Sequence, residues 1–170
     1  MPEDLDLLME YENDNRAHVA QWEPCRVNEY FSLEKTKQRI THSFESFQLG
    51  KSISLVGFSQ NKSKIICICT FSNIIHGVFQ ACNLGYSIAK NEQGKGLMFE
   101  LLQTSIEYVF HEYQLHRIMA NYMPSNIRSE KLLQRLGFQK EGLAKSYLKI
   151  AGSWQDHVLT SKINPYHIEQ

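Results

Sequence analysis

Several features that would assign this 170-residue sequence to a class at once are missing. There is no net charge, since 18 Lys and Arg balance 18 Asp and Glu. No global positive field therefore exists to hold nucleic acid or an anionic membrane, and any polyanion must be met locally. None of the four cysteines, Cys25, Cys67, Cys69 and Cys82, stands in a C-x2-C pair, which removes the usual zinc-site and thioredoxin-like signatures and leaves no metal site to expect. All four are expected to be small buried hydrophobes, with Cys67 and Cys69 on one strand face. No apolar run approaches the roughly 20 residues that cross a bilayer, and no basic segment followed by an apolar stretch opens the chain, so a soluble, cytoplasmic protein is expected. Repeats, low-complexity segments and linkers are absent too. What remains is 42% hydrophobic and 21% charged, the balance of one globular domain over residues 1–170 with a sizeable core.

Periodicity predicts helices over 5–15 and 33–49, the second with Leu33, Ile40, Phe44 and Phe47 on one face. Trp22-Glu23-Pro24 breaks the pattern between them. The period then changes: 52–58, 64–73 and 80–88 read as strands separated by polar turns, an antiparallel meander. A helix starts near Gly96, with Met98, Leu101, Leu102, Ser105, Ile106 and Val109 on one buried face. A strand over 117–123 follows. Asn126 or Ser125 then caps a second helix that Gly137 ends. Strands over 138–150 and 154–163 close the chain as a hairpin.

Between the third strand and the amphipathic helix lies Gln93-Gly94-Lys95-Gly96. Unpaired N–H groups and the positive end of the helix dipole favour an anion there, and the glycines let the backbone come close to a phosphate. A tight connection of no special function has the same look. Two rival nucleotide motifs fail: Phe99 stands where the dinucleotide fingerprint needs a third glycine, and G-x4-G-K-[S/T] is absent.

The run Leu84 to Met98 (LGYSIAKNEQGKGLM) resembles motif A of the GNAT acetyltransferases, Q/R-x-x-G-x-G/A, with Gln93 and Gly96 in its first and fourth positions. Met98 departs from the last position. That departure is similar to the RimJ/RimL branch, the ribosomal-protein-alanine N-acetyltransferases, and within it to the RimJ side. Trp22-Glu23-Pro24, Phe71-Ser72-Asn73, the run from His116 to Pro124, the run from Arg135 to Gly142 and the run from Asp156 to Thr160 resemble the same branch.

The resemblance implies an α/β (α+β) GNAT fold: a mixed, mostly antiparallel sheet splayed at the acetyl-CoA site, with flanking helices. The family's first edge strand would precede the first helix. Here Met1-Pro2-Glu3-Asp4 leads almost straight into that helix, so either the strand is missing or the natural start lies upstream. Acetyl-CoA is implied as the donor, with no metal. Its pyrophosphate would lie on the amides of Gln93, Gly94, Lys95, Gly96, Leu97 and Met98, and an amine would attack the thioester directly. Such a site needs a neutral amine, a donor to the developing oxyanion and a proton for the leaving thiolate. Backbone N–H groups near Ser87 and Ile88 supply the second. Ser129 matches the serine that supplies the third in RimL-like enzymes, unless it is an ordinary polar helix residue, and Asn126 binds the pantetheine arm or caps the helix.

No general base of the family transfers. The positions used elsewhere hold Asn121, Leu133 and, near the RimL-like glutamate, Leu148. Glu100 and Glu141 are the acids to test, with His76 in a loop able to border the acceptor groove. The missing base favours an α-amino acceptor, about a tenth neutral at pH 7, over a lysine, neutral in about one molecule in a few thousand. The expected partner is the N-terminus, Ala or Ser, of a ribosomal protein, and by extension the ribosome, lying near residues 73–79 and 151–154. The protein is expected to be a monomer or homodimer. Two alternatives stay open: acetylation of a small amine such as a polyamine, antibiotic or amino-sugar, and a ribosome-assembly factor that binds acetyl-CoA without turnover.

Overall fold

The computed structural model describes residues 4–166, so Met1, Pro2 and Glu3 of the opening segment lie outside the described residues. Two helices come first, α1 (Leu5–Val19) and α2 (Leu33–Gln48), with short 3-10 turns between them. Six strands follow, β1 (Ile53–Phe58), β2 (Ile65–Ile75), β3 (Ala81–Ile88), β4 (Arg117–Met119), β5 (Gln139–Ile150) and β6 (Ser153–Ile163). Helix α3 (Leu97–Tyr113) joins β3 to β4, and α4 (Ile127–Arg135) joins β4 to β5.

The strands form one sheet in the order β1-β2-β3-β4-β6-β5. All neighbours are antiparallel except β3 and β4, as expected when a helix makes the connection. No strand precedes α1 among the described residues.

The core is built by α3 against the middle of the sheet. Leu102, Ile106, Val109 and Phe110 pack with Cys67, Cys69 and Phe71 of β2, Cys82 of β3 and Ile118 of β4, all nearly inaccessible to solvent. Each such aliphatic side chain contributes about 2 kcal/mol by leaving water. Gly57 leaves room for the Cys67 thiol; a Cβ there would stand 2.5 Å from Sγ. Three cysteines are buried as expected, but Cys25 is exposed, because it sits in the irregular segment between the helices.

Two sequence expectations change. The apolar face of α2 does not enter this core: Leu33 is 56% exposed, Phe44 44% and Phe47 43%, and Ile40, Phe44 and Phe47 instead wall a cavity over the sheet. The predicted strand over 117–123 shrinks to three residues. Beyond Met119 the chain leaves β3, while Ala120 and Tyr122 stay bonded to Thr160 and Val158 of β6.

Candidate active site

The shortened β4 makes the site. It pairs with β3 at Ala81, Cys82 and Asn83 and then stops, while β3 runs on to Ile88. The Ala89 amide donates to the Ile66 carbonyl (2.8 Å), and Ser87 and Ile88 face Ile68 and Cys67 across the ladder. In an antiparallel pair hydrogen bonding alternates residue by residue, so Ser87 spends its main-chain groups on β2, while Tyr86 and Ile88 turn theirs to the side that β4 has vacated. The oxyanion donor expected near Ser87 and Ile88 narrows to the Ile88 amide and, one repeat earlier, that of Tyr86.

Into this gap opens a cavity of about 860 Å³. Tyr86 and Ser87 of β3 and Asn126 and Ser129 at the start of α4 line one side, and Tyr11 of α1, Trp22 of the following 3-10 turn, and Ile40, Phe44 and Phe47 of α2 close it. The Asn126 side chain accepts from the Ser129 amide (3.1 Å), capping α4 and leaving its own amide group to the cavity. The Tyr86 hydroxyl is buried next to the Ser129 side chain, its one polar neighbour of hydrogen-bonding kind. Burial, only partly offset by Ser129, pushes its pKa up to about 12, so it stays a neutral donor.

The glycine loop lies at the far end of β3. Gly94 (φ 76°) and Gly96 (φ 82°) are both left-handed, and a Cβ on either would meet nothing within 4 Å. Backbone conformation, with open space above it, is what calls for glycine here. Gly96 caps α3 without a side-chain cap, and the first helical bond runs from the Glu100 amide to the Gly96 carbonyl (3.1 Å). The amides of Leu97, Met98 and Phe99 are left without acceptors, as a phosphate site requires. Met98 gives only its amide, since its side chain is buried in the core. Lys95 pairs with Glu92 (3.0 Å).

Helix α1 fastens this stretch through residues that periodicity did not single out. Tyr11, Asn15 and His18, at i, i+4 and i+7, touch successive points of the chain leaving β3. The Tyr11 and Ser87 hydroxyls are 2.8 Å apart, the Lys90 amide donates to Asn15 Oδ1 (2.8 Å), and Gln93 Nε2 lies 2.8 Å from His18 Nε2. Arg128 of α4 donates to Gln93 Oε1. Burial, with Lys90 and Arg128 nearby, lowers the His18 pKa, which marks a locally cationic approach to the loop.

The acids named from sequence lie elsewhere. Glu100 is exposed on α3 and Glu141 is bound by Ser161 (2.7 Å) and Arg117. Those contacts hold the Glu141 carboxyl below its ordinary value, with Ser161 the larger cause. Neither lines the cavity, nor do His76, residues 74–79 or the turn at 151–154. Within the cavity are instead His157, whose Nδ1 is 3.1 Å from the Gln155 carbonyl, and the carboxylates Asp4, Glu12 and Glu23.

A glycine-bent anion cradle at a helix N-terminus, a splayed parallel pair and a deep cavity beside it define an enzyme that holds a phosphorylated, long-armed donor and presents its end to an acceptor. The family model described as "Acetyltransferase (GNAT) domain" matches residues 1–139. The Escherichia coli [ribosomal protein uS5]-alanine N-acetyltransferase is 45% identical over 158 residues, 93% of this chain and 81% of that one. The crystal structure of ribosomal-protein-S5-alanine acetyltransferase from Vibrio fischeri superposes with a TM-score of 0.94 at 41% identity, covering 99% of this chain and 92% of that one. Mycobacterium smegmatis RimJ in complex with CoA-disulfide gives 0.90 at 25%, covering 100% and 81%. The chain belongs to the GNAT acetyltransferase family, in its RimJ/RimL branch. It is an N-acetyltransferase and its donor is acetyl-CoA.

Proposed function

We propose that this enzyme acetylates the N-terminal α-amino group, on Ala or Ser, of a ribosomal protein, in the cytoplasm. The observation that carries the reading is the 45% identity, across 93% of the chain, to an enzyme named for acting on a ribosomal protein's alanine. The cavity supports it. Its walls are largely apolar, and the carboxylates among its described lining residues share it with two arginines, Arg26 and Arg39, a poor receptor for a polycation but a fitting one for a single ammonium on a small residue.

In this reading the pyrophosphate of acetyl-CoA rests on the amides from Gln93 to Met98, with Arg128 and Lys90 nearby, and the arm passes Asn126 toward the gap beside β3. The free amine attacks the thioester carbon as the Ile88 amide and the Tyr86 hydroxyl meet the growing negative charge on oxygen. The C–S bond then breaks, and the thiolate takes a proton through the Ser129 hydroxyl, which regains one from the acylated nitrogen. A CoA-release assay tests the acceptor: peptides with free N-terminal Ala or Ser should outpace blocked peptides carrying only lysine, and the reverse order would refute it.

A further inference from the structure

The proposed reaction still lacks a group to receive the amine, and among the described residues the cavity offers three carboxylates, Asp4, Glu12 and Glu23. Glu12 is gripped by both nitrogens of Arg39 (2.7 Å each), and Asp4 has a partner of its own. Glu23 makes no side-chain hydrogen bond or ion pair among the described residues, yet it is only partly exposed and lines the cavity. Its main chain is fixed, because its carbonyl accepts from the Ala151 amide (2.9 Å), so the side chain projects from an anchored point. Arg26 and Arg39 act on it only through their charge, so a part-buried carboxylate keeps its hydrogen-bonding capacity open to a ligand. Tyr11, which bonds Ser87 on the splayed strand, lines the same cavity as Glu23.

We infer that Glu23 is the acceptor's receptor: its carboxylate binds the incoming ammonium and takes one proton from it, freeing the amine to attack the thioester. The inference rests on the reading above and adds the residue that was missing from it. The protons balance. One passes from the ammonium to Glu23 and on to solvent, and the second leaves nitrogen as the C–N bond forms and ends on the CoA thiol. Burial raises the Glu23 carboxyl above its ordinary value, which narrows its gap to the amine. The charged and titratable groups around it are Arg26 on its own segment, Tyr11 and Glu12 from α1 and Arg39 from α2.

The pH dependence of kcat/KM with an N-terminal Ala peptide, wild type against Glu23→Gln, tests this. An enzyme that binds the ammonium through an ionised carboxylate has a flat profile between the carboxyl pKa and the amine pKa of about 8. Glu23→Gln must wait for neutral amine, so its rate should climb about tenfold per pH unit up to pH 8. At pH 7 it should be about tenfold or more below wild type, with acetyl-CoA affinity within twofold. The shape of the profile does not depend on how much protein is folded. Glu23→Asp, which keeps the carboxylate, should keep the flat profile even at reduced rate. A wild-type profile that already climbs, or a Glu23→Gln profile shaped like wild type, overturns the inference. If the true acceptor is a small amine instead, the same comparison run with that amine decides it, so the two claims fail separately.

Discussion

Replacing Gly96 by valine probes the donor site with least damage elsewhere. Gly96 sits at φ 82° and ψ −7° with nothing within 4 Å of the position a Cβ would take, so the Cβ of a valine meets no crowding. The cost of holding a non-glycine residue left-handed is about 1–2 kcal/mol, more for a β-branched one. If the chain relaxes instead, the amides of Leu97, Met98 and Phe99 turn from their shared focus. Each hydrogen bond from such an amide to a charged phosphate contributes about 1.5–3 kcal/mol, so losing one or two weakens acetyl-CoA by roughly 10- to 20,000-fold. The core on the other face of α3 is untouched and the protein should stay folded. Calorimetric titration with acetyl-CoA and with acetyl-pantetheine, which lacks the pyrophosphate, separates the effects. The variant should lose affinity for the first and keep it for the second. Unchanged acetyl-CoA affinity would refute the assignment of the loop, and equal loss for both ligands would refute the geometry given for it.

Ser129→Ala should lower kcat about 100-fold or more with acetyl-CoA affinity unchanged, since it removes a proton donor while its amide still meets Asn126; single-turnover kinetics beside calorimetry reads both. Arg39→Met strands the Glu12 carboxylate, 16% exposed, and should destabilise the protein by about 1–3 kcal/mol in urea unfolding. Cys25 alone should react with a thiol reagent in the native state at pH 8 and all four cysteines in denaturant, because burial raises Cys67 to about 11 and Cys82 to about 12 and also raises Cys69. Glu141, with its pKa held low by Ser161 and Arg117, adds stability at neutral pH that is lost as pH falls below the ordinary carboxyl range; Glu141→Gln should make acid unfolding less steep.

The parts written in local chemistry were readable from sequence. The face of α3 from Met98 to Val109, the two left-handed glycines and the Asn126 cap depend on near neighbours, and each appears where periodicity and cap rules put it. Periodicity also found α2, but it cannot say what an apolar face will meet, and here that is a cavity. The end of β4 is set by splaying from β3, a matter of pairing that the apolar run over 117–123 does not reveal. Contacts made across 75 residues or more, such as Tyr11 with Ser87 and His18 with Gln93, leave no trace in local pattern. The spacing 11, 15, 18 was the available signal, a polar and aromatic stripe on a helix. Glu23 shows in the sequence only as part of Trp22-Glu23-Pro24, and the acids that the sequence points to, Glu100 and Glu141, do not line the cavity.

The central claim is that the cradle from Gln93 to Gly96 loads acetyl-CoA for transfer to a protein α-amino group. The most direct test mixes acetyl-CoA and enzyme with an equimolar panel of a free N-terminal Ala peptide, a blocked lysine peptide and spermidine, and follows the products by mass spectrometry. The account predicts that the Ala peptide is acetylated first and on its α-nitrogen. Faster acetylation of the lysine peptide or of spermidine would contradict it.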